Sequence, residues 1–142
     1  MTEKKILIVD DDRELTSFLA EILGQRDEDC RVSVAYSGEE AMKRFEETSV
    51  DVLVTDLRMP GIDGLALMRW VSSFHPETPM ILMTGDGQRG VLAQARSSGA
   101  SKALPKSLDL PALLEEAIAE VLAASSSRRT VRSASSAASA GE

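Results

Sequence analysis

Short apolar runs alternate with amphipathic segments five times along the 142 residues of this chain, and this alternation restricts the fold more than any other feature. The runs have the length and apolar character of buried strands, and we predict strands at Ile6–Val9, Val32–Ala35, within Val50–Thr55, at Met80–Met83 and, more weakly, at Ala103–Pro105. Five strand–helix units in a row predict a parallel sheet with right-handed crossovers and helices on both faces. Because a closed barrel needs eight units, we expect an open, doubly wound α/β sheet in three layers.

The segments between the strands carry apolar residues at helical spacing, and cap residues mark several of their ends. Ser37–Glu40 has the pattern of a capping box that opens the second helix. Gly99 is the expected C-cap of the fourth helix, which we expect to start near Gln88, and Asp109 is the expected N-cap of the fifth. These signals place a helix after every strand.

Residues 1–124 have the composition of one globular domain, large enough to bury a core without disulfides or a structural metal. Residues 125–142 differ, since they are mostly Ser, Ala and Arg with almost no large apolar side chain. Such a segment cannot offset its ordering entropy by burial, so we predict a disordered tail or a truncated linker. We expect no output domain in these residues, and either a chain that stands alone or one cut from a longer protein fits the pattern.

The charge of the domain is strongly acidic. The whole chain carries a net charge of −7, and the last 18 residues contribute +2 through three arginines and one glutamate, so the remainder carries −9. This balance argues against direct binding of nucleic acid and favours cations or basic protein surfaces as partners. Arg128, Arg129 and Arg132 could touch a nucleic acid or an acidic membrane surface, but a solvated tail is the simpler interpretation.

Cysteine content and hydropathy bear on location. Cys30 is the one cysteine, so no disulfide can form within the chain, as is usual in a reducing cytoplasm. No apolar run reaches the roughly 20 residues that span a bilayer, and the amino-terminal residues have no cleavage signature. We therefore predict a cytoplasmic protein without membrane association, and an ordinary thiol at Cys30.

Chemically active side chains follow four of the five strands, at the ends where ligands bind in open parallel sheets. Asp10 and Asp11 follow the first strand, within the run that ends at Asp12, and Asp56 follows the third. The fourth strand is followed by Thr84 and the fifth by Lys106. Each residue alone could be a turn, cap or solvated residue, but the ordered set of acids, Asp, Thr and Lys points to one site.

This set has the parts that phosphoryl transfer needs. Carboxylates held close together repel one another, and a hard divalent cation relieves the repulsion. Oxygen ligands favour Mg²⁺, which binds through one or two carboxylates plus phosphate oxygens. Asp56 would supply the carboxylate nucleophile. Mg²⁺ and Lys106 would neutralise charge on the phosphoryl oxygens, and Thr84 would hydrogen-bond one of them.

Four stretches resemble the response-regulator receiver domain of bacterial two-component signalling: Ile6–Asp12, Asp51–Gly64, Met80–Gly85, and Gly99-Ala100 followed by Lys106. The resemblance covers about residues 4–123. It implies the flavodoxin-like strand order 2-1-3-4-5. It also implies that Asp56 accepts a phosphoryl group from a histidine kinase or phosphotransfer protein in a phosphorelay, with Mg²⁺ as the cofactor.

The resemblance also implies roles for individual residues. Asp11, Asp56 and the backbone carbonyl of Arg58 would ligate Mg²⁺, and Asp10 would act mainly through a metal-bound water. The phosphate would alter the helix 4–strand 5–helix 5 face that a downstream effector protein binds, or the domain would pass the phosphate on. A homodimer through the same face is compatible with the pattern. Such a domain catalyses only its own phosphorylation and dephosphorylation.

Two positions depart from the family pattern. An aromatic residue that reports phosphorylation usually lies three residues before the lysine, and here Ala103 holds that switch position. A proline usually follows the lysine, often through a cis bond, and here Ser107 follows Lys106. Because a cis bond before a non-proline residue costs about 3 kcal/mol, we predict a trans bond and a changed loop. Pro105 is tolerable because strand 5 is an edge strand in this order.

Three other functions remain as alternatives. Residues 85–90 match the glycine-rich dinucleotide motif, with Asp109 about 20 residues further on, but the motif belongs after a first strand and carboxylates crowd this edge. A phosphohydrolase of the haloacid dehalogenase type would need an aspartate where Arg58 stands. A binding-only pseudo-receiver is disfavoured because the acids, Thr84 and Lys106 are all present. Trp70 is expected to pack in the third helix, and His75, before a proline, to be solvated.

Overall fold

The computed structural model describes residues 3–26, 29–85 and 89–140, apart from the side chains of residues 26, 89 and 126–140. Five strands alternate with five helices in these residues. The strands are β1 (Lys4–Val9), β2 (Cys30–Ala35), β3 (Val52–Asp56), β4 (Met80–Thr84) and β5 (Lys102–Pro105). The helices are α1 (Arg13–Arg26), α2 (Gly38–Glu47), α3 (Gly64–Phe74), α4 (Arg89–Ser97) and α5 (Leu110–Ala140).

The strands form one parallel sheet in the order β2-β1-β3-β4-β5. This arrangement confirms the predicted doubly wound, flavodoxin-like sheet with β5 at an edge. The register pairs Asp56 with Met83, and Thr84 with Pro105. All five strands therefore end at the same edge of the sheet, and the residues that follow them lie side by side.

Alternate side chains of the strands enter two cores, one on each face of the sheet. On one face Leu7 and Leu53 pack with apolar residues of α2, α3 and α4. On the other face Ile8 and Val54 pack with apolar residues of α1 and α5. Because both faces are covered, the central strands are apolar along most of their length, as parallel strands usually are.

Side-chain caps fix the ends of two helices that lie next to the strand ends. Ser37 Oγ accepts a hydrogen bond from the Glu40 N–H at 3.1 Å, and the Glu40 carboxylate accepts one from the Tyr36 N–H at 3.2 Å. The predicted capping box at α2 is therefore present in a variant form, because Glu40 accepts from the N–H of the residue before the cap rather than from that of Ser37. Asp63 caps α3 by accepting a hydrogen bond from the Ala66 N–H at 2.8 Å.

Beyond α4, Gly99 has a φ of 110°, the left-handed conformation expected of a C-cap glycine.

The last helix extends further than predicted. α5 continues to Ala140 and so covers most of the segment 125–142 that the sequence predicted as a disordered tail or linker. The segment from 112 to 140 contains no glycine or proline and is rich in alanine, so helix propensity is uninterrupted there. The division into a domain at 1–124 and a tail at 125–142 remains a prediction. Among the described residues, no helix combines the length and the apolar character required to traverse a bilayer.

Trp70 packs as predicted, whereas His75 differs from its prediction. The Trp70 ring meets the Phe45 ring edge-to-face, with centroids 5.8 Å apart. His75 was expected to be solvated, but it is half-buried, with its ring 4.8 Å from Phe45 and 5.5 Å from Trp70. His75 is the C-cap residue of α3, and at this position its imidazole lies against the two aromatic rings.

Candidate functional site

Three carboxylates meet at the carboxyl edge of the sheet. Asp10 follows β1, Asp11 follows Asp10, and Asp56 is the last residue of β3. One oxygen from each lies within 4.8 Å of one from each of the other two. Asp10 and Asp56 are buried, with 1% and 7% of their surfaces exposed, whereas Asp11 is exposed. The cluster is therefore open to solvent on one side.

The three consecutive aspartates after β1 have different local roles. Asp12 caps the start of α1, because its Oδ1 accepts a hydrogen bond from the Leu15 N–H at 3.1 Å. Asp10 Oδ1 accepts one from the Asp12 N–H at 3.0 Å, which fixes the Asp10 side chain beneath the turn. Asp12 is thus occupied as a helix cap, and Asp10 and Asp11 are the members of the run that join Asp56.

Lys106 joins the cluster from β5. Its ammonium lies 2.7 Å from Asp10 Oδ2 and 2.9 Å from Asp56 Oδ1. The Lys106 N–H also donates a hydrogen bond to the Thr84 carbonyl at 2.9 Å, which holds the residue next to the end of β4. The ammonium is therefore placed between the two buried carboxylates and compensates part of their charge.

Opposing effects act on the pKa of Lys106. Burial of the side chain lowers the pKa, while hydrogen bonds and electrostatic attraction from Asp10 and Asp56 raise it. The attraction prevails, so the pKa of Lys106 is raised above its ordinary value of 10.5. The ammonium is consequently charged throughout the physiological pH range.

The carboxylate cluster fits a hard divalent cation. Asp10 Oδ2 is fully buried, and the Lys106 ammonium lies 2.7 Å from it. A carboxylate oxygen has two lone pairs, so one ammonium contact leaves a lone pair for a cation or its water. Oxygen ligands with one open side are what Mg²⁺ prefers. Arg58 lies two residues after Asp56, exposed at the start of the β3–α3 loop.

The backbone at Asp56 is held by a close approach of α3. A Cβ atom built on Gly64 would lie 2.1 Å from the Asp56 carbonyl oxygen. The Gly64 N–H donates a hydrogen bond to the Leu57 carbonyl at 2.8 Å, and the Leu57 N–H donates one to the Met83 carbonyl at 3.1 Å. Only glycine fits at position 64, so the start of α3 packs directly against the residue that carries the central carboxylate.

Replacing Gly64 by alanine is expected to lower the free energy of unfolding by about 1–3 kcal/mol, the usual cost of inserting a methyl group into a packed contact. Urea denaturation monitored by circular dichroism would measure the loss. The matched control is Gly24→Ala in α1, where the added Cβ meets no atom within 4 Å. Alanine there should stabilise the protein by up to about 1 kcal/mol. Equal effects at the two positions would contradict the packing argument.

The two departures from the family pattern lie beside this cluster. Ala103 is half-buried, pairs with Leu82 and packs against the core that α2, α3 and α4 cover. No cis peptide bond occurs among the described residues, which agrees with the predicted trans bond between Lys106 and Ser107.

The glycine-rich stretch at 85–90 lies partly outside the described residues, since residues 86–88 are not described. The predicted helix start near Gln88 lies in the same gap.

The structure places Thr84 at the same edge, at the last residue of β4, and it groups Asp10, Asp11 and Asp56 in one cluster, in which Lys106 contacts Asp10 and Asp56. Sequence reasoning did not find two supporting residues. Gly64 carried a signal, because a glycine soon after a strand-end aspartate can mark a close backbone approach. Glu39 had no local sequence signal, since its contact with the β3–α3 loop spans 23 residues of sequence.

Comparisons with known proteins agree with this geometry. The family described as the response regulator receiver domain matches residues 6–119. The protein-glutamate methylesterase/protein-glutamine glutaminase 2 of Carboxydothermus hydrogenoformans is 34% identical over 93% of this chain and 39% of its own length. The transcriptional regulatory protein CpxR of Klebsiella pneumoniae is 40% identical over 72% of this chain and 42% of its own length. The chain therefore spans less than half the length of these relatives.

A solved structure has the same fold. The response regulator protein TrrA from Thermotoga maritima, in complex with Mg²⁺-BeF, is 28% identical with a TM-score of 0.75, and the match covers 84% of this chain and 99% of that one. The five-stranded order, the strand-end acids and the family match over most of the chain agree with one another. The chain belongs to the response regulator receiver domain family of two-component systems.

Proposed function

We propose that Asp56 is the phosphoryl acceptor of this receiver domain and that Mg²⁺ is its cofactor. The observation that carries the proposal is the grouping of Asp10, Asp11 and Asp56 within 4.8 Å, with the Lys106 ammonium 2.9 Å from Asp56 Oδ1. An aspartate with a cation on one side and open space on the other can act as a nucleophile and then have its product stabilised.

In the proposed step, a carboxylate oxygen of Asp56 attacks phosphorus, and an O–P bond forms. The bond between phosphorus and the donor's imidazole nitrogen breaks, and that nitrogen leaves with the electron pair. Lys106 neutralises charge on the phosphoryl oxygens, and the Thr84 hydroxyl donates a hydrogen bond to one of them. Asp11, Asp56 and the Arg58 carbonyl would hold the cation, and Asp10 would act on it through a water. When bound, Mg²⁺ supplies positive charge that favours the pentacoordinate transition state.

The partners follow from the family. Receiver domains of two-component systems interact with histidine kinases and effectors, and we propose a histidine kinase or phosphotransfer protein as the donor here. The α4–β5–α5 face is the proposed effector surface, and α4 carries the half-exposed Leu92. A homodimer through this face is an alternative occupant. We also propose a receiver domain at 1–124 followed by a tail or linker at 125–142, and a cytoplasmic location, which the single cysteine supports.

The experiment is incubation with acetyl phosphate, followed by intact-protein mass spectrometry. With Mg²⁺ present, we expect the mass of one phosphoryl group on each chain, and with a chelator in place of Mg²⁺ we expect none. A chain that gains no phosphoryl group with Mg²⁺ would contradict the proposal. The phosphohydrolase alternative predicts many turnovers of a phosphomonoester, so a single, self-limited turnover would exclude it.

A further inference from the structure

The first turn of α2 is hydrogen-bonded to the loop that follows Asp56. Glu39 Oε1 accepts a hydrogen bond from the backbone N–H of Ile62 at 3.1 Å. Glu39 and Ile62 are 23 residues apart in sequence, so the bond joins two separate units of the fold. Glu39 takes no part in the capping box of its own helix, in which Ser37 and Glu40 serve.

Tight backbone contacts surround this bond. Gly61 has a φ of 76°, and a Cβ atom built there would lie 2.9 Å from Glu39 Oε1. A Cβ atom built on Gly38 would lie 2.7 Å from Ile62 Cβ and 2.8 Å from the Ile62 carbonyl oxygen. Residues 38 and 39 therefore pack closely against residues 61 and 62.

Both ends of the loop between Asp56 and α3 are fixed by different contacts. At the strand end, the Leu57 N–H donates a hydrogen bond to the Met83 carbonyl, and the Leu57 carbonyl accepts one from the Gly64 N–H. At the far end, the Ile62 N–H is hydrogen-bonded to the Glu39 carboxylate, and the capping box holds the first turn of α2 in place. Arg58 lies between these two anchors, so the conformation of its backbone depends on both.

We infer that Glu39 is a positioning residue for the cation site, acting through the Ile62 N–H to hold the β3–α3 loop in the conformation that presents the Arg58 carbonyl. This inference rests on the proposed function. Glu39 is exposed and reaches the loop backbone rather than the carboxylate cluster. Its contribution is therefore the geometry of the loop, and its negative charge is not required.

The test compares Mg²⁺ affinity, measured by isothermal titration calorimetry, in four forms of the full chain: the wild type, Glu39→Ala, Glu39→Gln and Glu46→Ala. Glutamine keeps an acceptor oxygen but removes the charge, and Glu46 is an exposed glutamate on the same helix. We expect Kd to rise about three- to tenfold in Glu39→Ala, the effect of one partly solvated hydrogen bond. Glu39→Gln and Glu46→Ala should bind within about twofold of the wild type.

Amide hydrogen exchange gives a second readout that does not depend on the cation. The Ile62 N–H should exchange faster in Glu39→Ala and keep its protection in Glu39→Gln, because only the alanine variant lacks an acceptor. Unchanged Mg²⁺ affinity in Glu39→Ala, or an equal loss in Glu39→Gln, would overturn the positioning role while leaving the proposed function intact. Failure of the wild type itself to bind Mg²⁺ would overturn the proposed function and the positioning role together.

Discussion

Replacing Asp56 by asparagine is expected to abolish the phosphoryl group that acetyl phosphate adds in the presence of Mg²⁺. An asparagine amide oxygen is a far weaker nucleophile than a carboxylate. The substitution also removes one of the three carboxylates that lie within 4.8 Å of one another. Intact-protein mass spectrometry at a series of incubation times would measure the loss, which should be complete within the detection limit.

The matched control is Asp12→Asn. Asp12 belongs to the same acidic run, but its side chain caps α1, and asparagine is as good an N-cap as aspartate. This variant should gain the phosphoryl group as the wild type does. If Asp56→Asn still gained a phosphoryl group, the acceptor would be another residue. If Asp12→Asn failed to gain the phosphoryl group, the assignment of Asp12 to helix capping alone would be wrong.

Replacing Lys106 by methionine is expected to tighten Mg²⁺ binding by about tenfold and to slow phosphorylation. The ammonium contacts both Asp10 and Asp56 at less than 3 Å, so an incoming cation competes with it for the same carboxylates. Removing the ammonium ends this competition, but it also removes a positive charge from the phosphoryl oxygens. Calorimetric titration and the rate of mass gain would measure the two opposite effects.

Lys102→Met is the control, because it removes the same charge from the other end of β5, where Lys102 pairs with Glu120. Its Mg²⁺ affinity should remain within about twofold of the wild type, as expected for a distant, screened charge. Equal Mg²⁺ affinities for Lys106→Met and the wild type would show that the ammonium does not compete with the cation.

The same variant should reveal a dependence of stability on pH. With a chelator present, the wild type should exceed Lys106→Met in free energy of unfolding by about 1–3 kcal/mol, because two buried carboxylates lose their compensating charge. The pKa of Lys106 is raised in the folded protein, so this difference should be fully present below pH 10.5. It should decrease as the pH rises above that value and the ammonium loses its proton. A difference that is constant through this range would contradict the ion contacts.

The fold and the identity of the clustered residues could be predicted from sequence because both depend on local pattern. The five apolar runs determine five strands, and a parallel sheet brings their carboxyl ends to one edge. Asp56 and Lys106 were therefore predicted to be neighbours although 50 residues separate them. The structure adds that the Lys106 ammonium contacts Asp10 as well as Asp56.

Other features could not be predicted because they depend on tertiary contacts. The run after β1 contains three aspartates, and composition alone could not show that Asp12 caps α1 while Asp10 is buried. The contact of Glu39 with Ile62 depends on how α2 lies against the β3–α3 loop. For the segment after 125, low hydrophobicity predicted disorder, whereas the uninterrupted helix propensity of the alanine-rich sequence agrees with the continuation of α5.

The residues at 103 and 107 are the two positions at which the sequence is predicted to depart from the family pattern. Ala103 has no ring that could move inward and is already packed against the core, so an aromatic switch cannot operate at this position. The connection between Lys106 and Thr84 is a backbone hydrogen bond, which links the ends of β4 and β5 directly.

The most direct test of the central claim identifies the phosphorylated residue itself. The wild type would be phosphorylated with acetyl phosphate and Mg²⁺, then reduced with borohydride, which converts an aspartyl phosphate to homoserine, and digested for peptide mass spectrometry. The account predicts homoserine at position 56 and at no other aspartate. Homoserine at Asp10 or Asp11, or unmodified aspartate at position 56 in a protein that had gained a phosphoryl group, would contradict it.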